Sequence, residues 1–310
     1  MVGVCRKGAT MRFGIMAMQT GSLIPSGMGP EDTGRHIASF DHGSLVEGLA
    51  ARGFRLIELG GDLVLFMPHT FDQEAVDRLA AVKEALGLAY TVHLPLWSVE
   101  PSTPLGPVRE GSVRALVGCI EATQSLAPEC FVLHATGALA AEFYRMSLPP
   151  LANQLVLRQF HAAARASVSR ILAETGIASR QLAIETIEFP FELTLELADE
   201  LDLSICLDVG HVLVGFSGPI DLFDALEACL PRLAEVHLHD GPWQGPDQHI
   251  GYGLDHRPLG AGDLDTARFL DRLAAAEFDG PVIFELTVKE ALASLDVVRS
   301  MRPHLLGQVG

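Results

Sequence analysis

QLAIETIEFPFELTLELADELDLSICLDVGH, residues 181–211, decides the fold. It reads as strand, helix, strand. QLAIETI (181–187) and LSICLD (203–208) are near-continuous apolar runs, the pattern of strands buried on both faces of a parallel sheet. FELTLELADE (191–200) carries its apolar residues at helical spacing. Each apolar run ends near an acid, Glu185 and Asp208, and His211 follows three residues after the second.

The same alternation runs outward in both directions. Six more strands are expected at MRFGIMAM (11–18), FRLIELG (54–60), LAYTVHL (88–94), CFVLHA (130–135), AEVHLHD (234–240) and PVIFELT (281–287). Helices are expected at 72–87, stopped by Gly87, and at 108–127, 151–176, 221–230, 263–278 and 289–301. Eight strands separated by helices predict an α/β protein, a single (β/α)8 TIM barrel over residues 11–310. A length of 310 residues suits one such barrel. Residues 1–10 read as a loose leader, with Met11 an alternative start. The longest irregular stretches, 19–39, 95–107 and 241–262, each follow a strand and belong at the C-terminal face, where barrel enzymes keep their binding loops.

Composition narrows the chemistry. Hydrophobic residues make up 48% of the chain, enough for a large core. No apolar run approaches the roughly 20 residues of a membrane span. The opening MVGVCRKGAT has no apolar segment of a signal peptide. Five scattered cysteines without a CxxC fit a reduced, cytoplasmic setting and core packing. A net charge of −17 with dispersed Arg and Lys argues against a nucleic-acid partner and leaves room for bound cations. The oligomeric state is not legible.

The chemistry-bearing residues gather at strand ends. They are His93, His134, Glu185, Asp208 with His211, His237 with His239, and Glu285, with His256 in the loop LDHRPLGAG. His, Asp and Glu are the usual ligands of divalent metals, and parallel barrel strands carry such groups to one central point. Glu185, Asp208, His237 and Glu285 are the expected set for one ion. His93 and His134 are expected to hold a second, with Glu185 bridging. His211 and His256 are expected to form a third site or to bind substrate phosphate. His239, which shares a strand face with His237, is a candidate substrate contact or a residue that supports a ligand from behind, and Asp240 is expected to orient a ligand or cap the next loop. Glu58 is read as a polar floor or a substrate contact. Trp97 and Trp243, in the two active-side loops, are candidates to stack on a planar ligand or to plug the barrel mouth, ligand contact being preferred, and Arg257 is a candidate substrate contact. His36, His42, His69, His161 and His304 are expected to be solvated.

Taken together, the motifs E-T (185–186), D-x-G-H (208–211), H-x-H-D (237–240), H-x-P-L-G-x-G-x-x-D (256–265) and F-E-L (284–286) resemble the xylose isomerase-like TIM-barrel superfamily over roughly residues 12–300. That superfamily includes sugar and sugar-phosphate isomerases and epimerases, and apurinic endonucleases of the endonuclease IV type. The resemblance implies a four-ligand site at Glu185, Asp208, His237 and Glu285 in the isomerase branch. The endonuclease branch adds a His on each of strands three and four, which His93 and His134 match. One departure stands out. That branch carries Asp-x-His before the L-G-x-G turn, where this chain has Leu254-Asp255-His256, with Asp247-Gln248-His249 upstream. Asp255 and Asp247 are therefore rival partners for a third ion. HLPLWSVEPSTP (93–104) and LHATGALAAEFYRM (133–146) are similar to the cobamide-remodelling phosphodiesterases of the superfamily.

Two readings follow. The first is a phosphodiesterase on a small non-DNA phosphoester, the nucleotide loop of a cobamide being the narrower expectation. It would use two or three divalent ions (Zn, Mn or Fe) and an attacking hydroxide held between them, with Glu185 or Glu285 orienting the water. The alternative is a divalent-metal-dependent sugar or sugar-phosphate isomerase or epimerase in which Glu185 and Glu285 transfer protons at carbon.

Overall fold

The computed structural model describes residues 10–16, 27, 29–146, 148–244 and 253–306. Eight parallel strands close into a barrel in chain order: β1 (Arg12–Ile15), β2 (Leu56–Gly60), β3 (Ala89–His93), β4 (Phe131–Leu133), β5 (Leu182–Glu185), β6 (Ser204–Asp208), β7 (Leu233–His237) and β8 (Pro281–Phe284). β1 pairs with β8 to complete the ring. All eight expected strands are present, each shorter than its apolar run. Residues 17 and 18 of the first run lie outside the described residues.

Alternation along each strand divides the core in two. Leu133, Ile184, Leu207 and Val236 point outward and join the large apolar layer between sheet and helices. Val132, Ala183 and Cys206 point inward, and with Cys130 they form a small cluster inside the barrel. Period-two alternation then sends Glu185 inward with Ala183, and Asp208 inward with Cys206.

Eleven helices surround the strands among the described residues: α1 (Pro30–Ala38), α2 (His42–Ala50), α3 (Gln73–Leu86), α4 (Gly106–Thr123), α5 (Ala138–Arg145), α6 (Pro150–Thr175), α7 (Phe191–Leu201), α8 (Val209–Leu213), α9 (Leu222–Cys229), α10 (Thr266–Ala275) and α11 (Val288–Met301). None is long and apolar enough to cross a membrane. Gly87 ends α3 at φ 61°, the left-handed conformation that stops a helix cheaply only at glycine.

Two expectations need correction. The stretch 19–39 is not irregular throughout, since α1 occupies its second half. That helix, PEDTGRHIA, offers one large apolar side chain, Ile37, too few to set a helical spacing in the sequence. Nor are all the remaining histidines solvated. His42 is 3% exposed, and burial lowers its pKa to about 4. His161 is 5% exposed on the inner face of α6.

Candidate metal centre

His93, Glu185, Asp208 and His237 are the last residues of β3, β5, β6 and β7, and His134 and Glu285 immediately follow β4 and β8. In a closed parallel barrel these positions ring one end. Asp208 and His237 are direct register partners. Each of the six is at most 6% exposed, so the cluster lies below the mouth and out of bulk water.

Glu185 is the hub. Its Oε2 lies 3.1 Å from His93 Nε2, 2.9 Å from His134 Nε2 and 3.7 Å from His237 Nδ1. Its Oε1 lies 3.0 Å from His211 Nδ1, yet the two are not aligned for a hydrogen bond. His237 Nδ1 also stands 3.6 Å from Asp208 Oδ2 and 3.4 Å from Glu285 Oε1. Buried groups this close without hydrogen-bonding alignment carry a large desolvation cost unless they share a cation. The ligating atoms of Glu185, Asp208 and His237 lie within 4.8 Å of one another, as do those of His93, His134 and Glu185. The set therefore fits divalent ions in two adjoining groups, with Glu185 common to both.

Ring tautomers decide which nitrogen each histidine can offer, because a neutral imidazole has one lone pair. His93 donates Nδ1–H to the Leu94 carbonyl at 2.9 Å, which frees Nε2. His256 donates Nδ1–H to the Glu285 carbonyl at 3.1 Å, which likewise frees Nε2. His239 is different. Its Nδ1 accepts the backbone N–H of His256 at 2.9 Å, so Nε2 carries the proton and donates to Asp208 Oδ2 at 2.9 Å. It is wholly buried. Of the two roles expected for His239, substrate contact or support for a ligand, its geometry matches the second: it holds Asp208 in place. Gly210 explains part of the D-x-G-H motif, since a Cβ there would lie 2.0 Å from the His239 ring.

A third group forms at the edge. Asp255 Oδ2 lies 3.4 Å from His211 Nε2 and 3.3 Å from His256 Nε2. His256 reaches this geometry with φ 51°, a left-handed backbone unusual for a residue with a side chain. Of the two rival aspartates, Asp255 is the one placed here; Asp247 lies outside the described residues. Asp240 anchors the loop that carries them. Its carboxylate accepts the backbone N–H groups of Gly241, Gly260 and Leu264 at 2.8–3.0 Å.

The electrostatics follow from burial and proximity. Burial opposes the charge on Glu185, but His134 and His237 outweigh it and hold the carboxyl well below its usual range. Asp208 behaves alike through His211 and His239. Burial also opposes protonation of His93, yet the Glu185 hydrogen bond and charge raise it to about 9. His211 and His237 are raised well above their ordinary value against burial, His211 chiefly by Asp208, and His237 by Cys206 and Glu285.

Glu58, read as a polar floor or a substrate contact, is 3% exposed beneath His237, where a floor residue would lie, and offers nothing to a ligand at the mouth. Two acids escaped the sequence reading. Glu235, two residues before His237 on the same strand face, takes hydrogen bonds from Thr91 Oγ1 (3.2 Å) and Cys130 Sγ (2.7 Å); burial beside Glu58 pushes it up to about 7. Period-two spacing from His237 was its signal. Glu188 sits in the loop after β5 at φ 65°, and burial pushes its carboxyl up to about 7 against the pull of His134.

At the mouth, Trp97 is 54% exposed and packs edge-on against Phe66, ring centroids 6.1 Å apart. Trp243 is 51% exposed in the opposite loop. Arg257 is half-buried, its backbone paired with Asp240.

Known proteins share this architecture. A D-tagatose 3-epimerase-like protein superposes with a TM-score of 0.68 at 19% identity, covering 95% of this chain and 98% of its own. Endonuclease IV from Thermus thermophilus superposes at 0.61 and 21% identity, covering 94% and 98%. D-psicose 3-epimerase from Clostridium cellulolyticum superposes at 0.64 and 15% identity, covering 96% and 100%. At such identities the likeness establishes the fold alone. An uncharacterised protein, MJ1311 of Methanocaldococcus jannaschii, is 22% identical over 233 residues, 74% of this chain and 76% of its own. The sequence model of one family spans residues 46–303, most of the barrel and every candidate ligand in it: the chain belongs to the xylose isomerase-like TIM barrel family.

Proposed function

We propose that this chain is a metal-dependent phosphodiesterase acting on a small-molecule phosphoester. One observation carries the reading: His93 and His134 both direct Nε2 at the Glu185 oxygen that also faces His237, at 3.1 and 2.9 Å. A proton-transferring carboxylate at carbon needs an oxygen open to substrate. Here Glu185 has imidazoles against both oxygens, an arrangement suited to bridging cations.

Divalent ions bound there would offset negative charge on the phosphoryl oxygens and the leaving group and would acidify an attacking water. Asp208, His237 and Glu285 would hold one ion, and His93 and His134 a second, with Glu185 shared. His211, Asp255 and His256 would hold a third. His239 fixes Asp208, and Asp240 fixes the loop bearing Asp255 and His256. Glu188, with its carboxyl at about 7 and one buried oxygen unpartnered, is suited to give a proton to a leaving alkoxide.

The exposed rings of Trp97, Phe66 and Trp243 favour a bulky, partly apolar substrate, and a corrinoid such as a cobamide is of that kind. A net charge of −17 favours a small molecule over DNA.

The alternative is sugar epimerisation with Glu185 and Glu285 as the acid–base pair, favoured by the two epimerase folds above. A panel of phosphodiesters, cobamides included, run beside ketoses with Zn²⁺, Mn²⁺ or Fe²⁺ added, separates the two. Phosphoester cleavage with more than one ion per chain supports the proposal. Ketose epimerisation with a single ion, unaffected by His134→Ala, would sink it.

A further inference from the structure

The His237 ring separates two sets of acids. Its Nδ1 faces Glu185, Asp208 and Glu285 at 3.4–3.7 Å, and its Nε2 faces Glu58 Oε2 at 3.3 Å and Glu235 Oε1 at 3.7 Å. The Nε2 side is dry: His237 and Glu235 are 0% exposed and Glu58 is 3% exposed. Glu58, Glu235 and His237 bring ligating atoms within 4.8 Å of one another, so a further cation is one way to read them. The lone-pair count argues otherwise. With Nδ1 given to the ion in the centre above, Nε2 of a neutral ring must carry hydrogen and cannot ligate a second ion.

That hydrogen needs an acceptor, and the two acids are not equivalent. Glu235 is already supplied by Thr91 and Cys130. Neither oxygen of Glu58 has a hydrogen-bond partner among the described residues, and neither nitrogen of His237 has one. In His93 and His256 the second ring nitrogen is occupied by a backbone carbonyl, of Leu94 and Glu285. His237 has no such carbonyl contact among the described residues.

We propose that Glu58 is a positioning residue for the metal centre: its buried carboxylate receives the Nε2–H of His237 and commits Nδ1 to the ion. A carboxylate in that role makes the imidazole a stronger donor than a carbonyl does, and its loss weakens metal binding about 10–100-fold. This role rests on the metal reading above and adds a residue that touches neither metal nor substrate.

The test uses the full chain, the wild type beside Glu58→Gln and Glu58→Leu, titrated with Zn²⁺ alone against a chelating dye. Glu58→Leu removes the acceptor at similar volume, and its affinity is expected to fall about 10–100-fold. Glu58→Gln keeps an acceptor oxygen without the charge and should lose less. The Tm and circular dichroism of both metal-free variants check that a weaker affinity reflects the metal centre and not a lost fold. In the zinc-loaded wild type, ¹⁵N NMR should find His237 protonated at Nε2. Unchanged affinity in both variants would overturn the role for Glu58 while leaving the metal reading standing. So would loss of one whole ion per chain at saturation, which would make Glu58 a ligand. If Glu58→Leu does not fold, Glu58→Gln and the NMR signature decide. A wild-type chain that takes up no metal overturns the metal reading, and this role with it.

Discussion

His134 Nε2 lies 2.9 Å from Glu185 Oε2, joining the end of β4 to the end of β5 inside a wall where both are at most 6% exposed. Glu185 alone would cost several kcal/mol as a buried unpaired charge. Its position makes sense as half of a shared ligand group, and His134 is the half that an epimerase mechanism does not require.

His134→Ala is accordingly expected to remove one ion per chain, counted by elemental analysis, and to lower phosphoester turnover about 10²-fold or more, the scale of losing one electrostatic stabiliser of a transition state. Glu185→Gln should lose both adjoining ions. Turnover and metal count unchanged in His134→Ala would contradict the phosphodiesterase assignment.

Much of this is legible in the sequence. Seven of the eight strands lie within their apolar runs and β7 begins one residue before its own, because strands buried on both faces are built mostly from apolar residues. The same rule made Glu185, Asp208 and Glu285 conspicuous. Pairing was less legible. Nothing in HLHD says that His239 turns to Asp208, since that depends on where the loop of His256 returns 17 residues later. Glu235 was hidden for the opposite reason: it interrupts an apolar run from the inside of the barrel, where Glu58 of β2, Thr91 of β3 and Cys130 just before β4 must be known before an acid there makes sense. Apolar spacing could not reveal α1, whose one large apolar side chain is Ile37.

pH should act on the metal-free protein in a defined window. Folding raises His93 from an ordinary 6.5 to about 9, through Glu185 and against burial, and raises His211 and His237 in the same direction. Stability from a raised base is fully present below 6.5 and is lost as pH climbs through the folded value. Glu185 and Asp208 are depressed, so their contribution is present above their ordinary values of 4.5 and 3.8 and is lost in acid. Tm of the metal-free chain should therefore peak between about pH 5 and 6.5 and decline toward pH 9. Metal uptake at pH 7 should release protons, read by calorimetry in buffers of different ionisation enthalpy. Uptake without proton release would mean that these imidazoles are not ligands.

Asp240 makes a different kind of prediction, one about the loop. Its carboxylate gathers three backbone N–H groups from positions 241, 260 and 264, and Gly262 has no room for a Cβ because Asp240 Oδ1 would lie 2.4 Å from it. Hydrogen bonds to a charged acceptor contribute about 1.5–3 kcal/mol each, not additively. Asp240→Ala should cost roughly 3–5 kcal/mol in denaturant melts and should also weaken the ion near His256. A melt shifted by less than about 1 kcal/mol would show that the loop is held by other contacts.

Asp255 tests the third ligand group. It stands within 3.4 Å of Nε2 on both His211 and His256, and those two imidazoles draw its carboxyl below the usual range against the effect of burial. His256 keeps a left-handed backbone at φ 51° beside it, a strain of about 1–3 kcal/mol that the surrounding fold must offset. If Asp255 is the acid of that group, Asp255→Asn should remove one ion, leave the pair around Glu185 loaded, and lower turnover without abolishing it. Asp247→Asn should change neither metal count nor rate. The opposite outcome, an ion lost from Asp247→Asn and kept in Asp255→Asn, would assign the ligand to the upstream aspartate and leave Asp255 as the residue that merely orients His211 and His256.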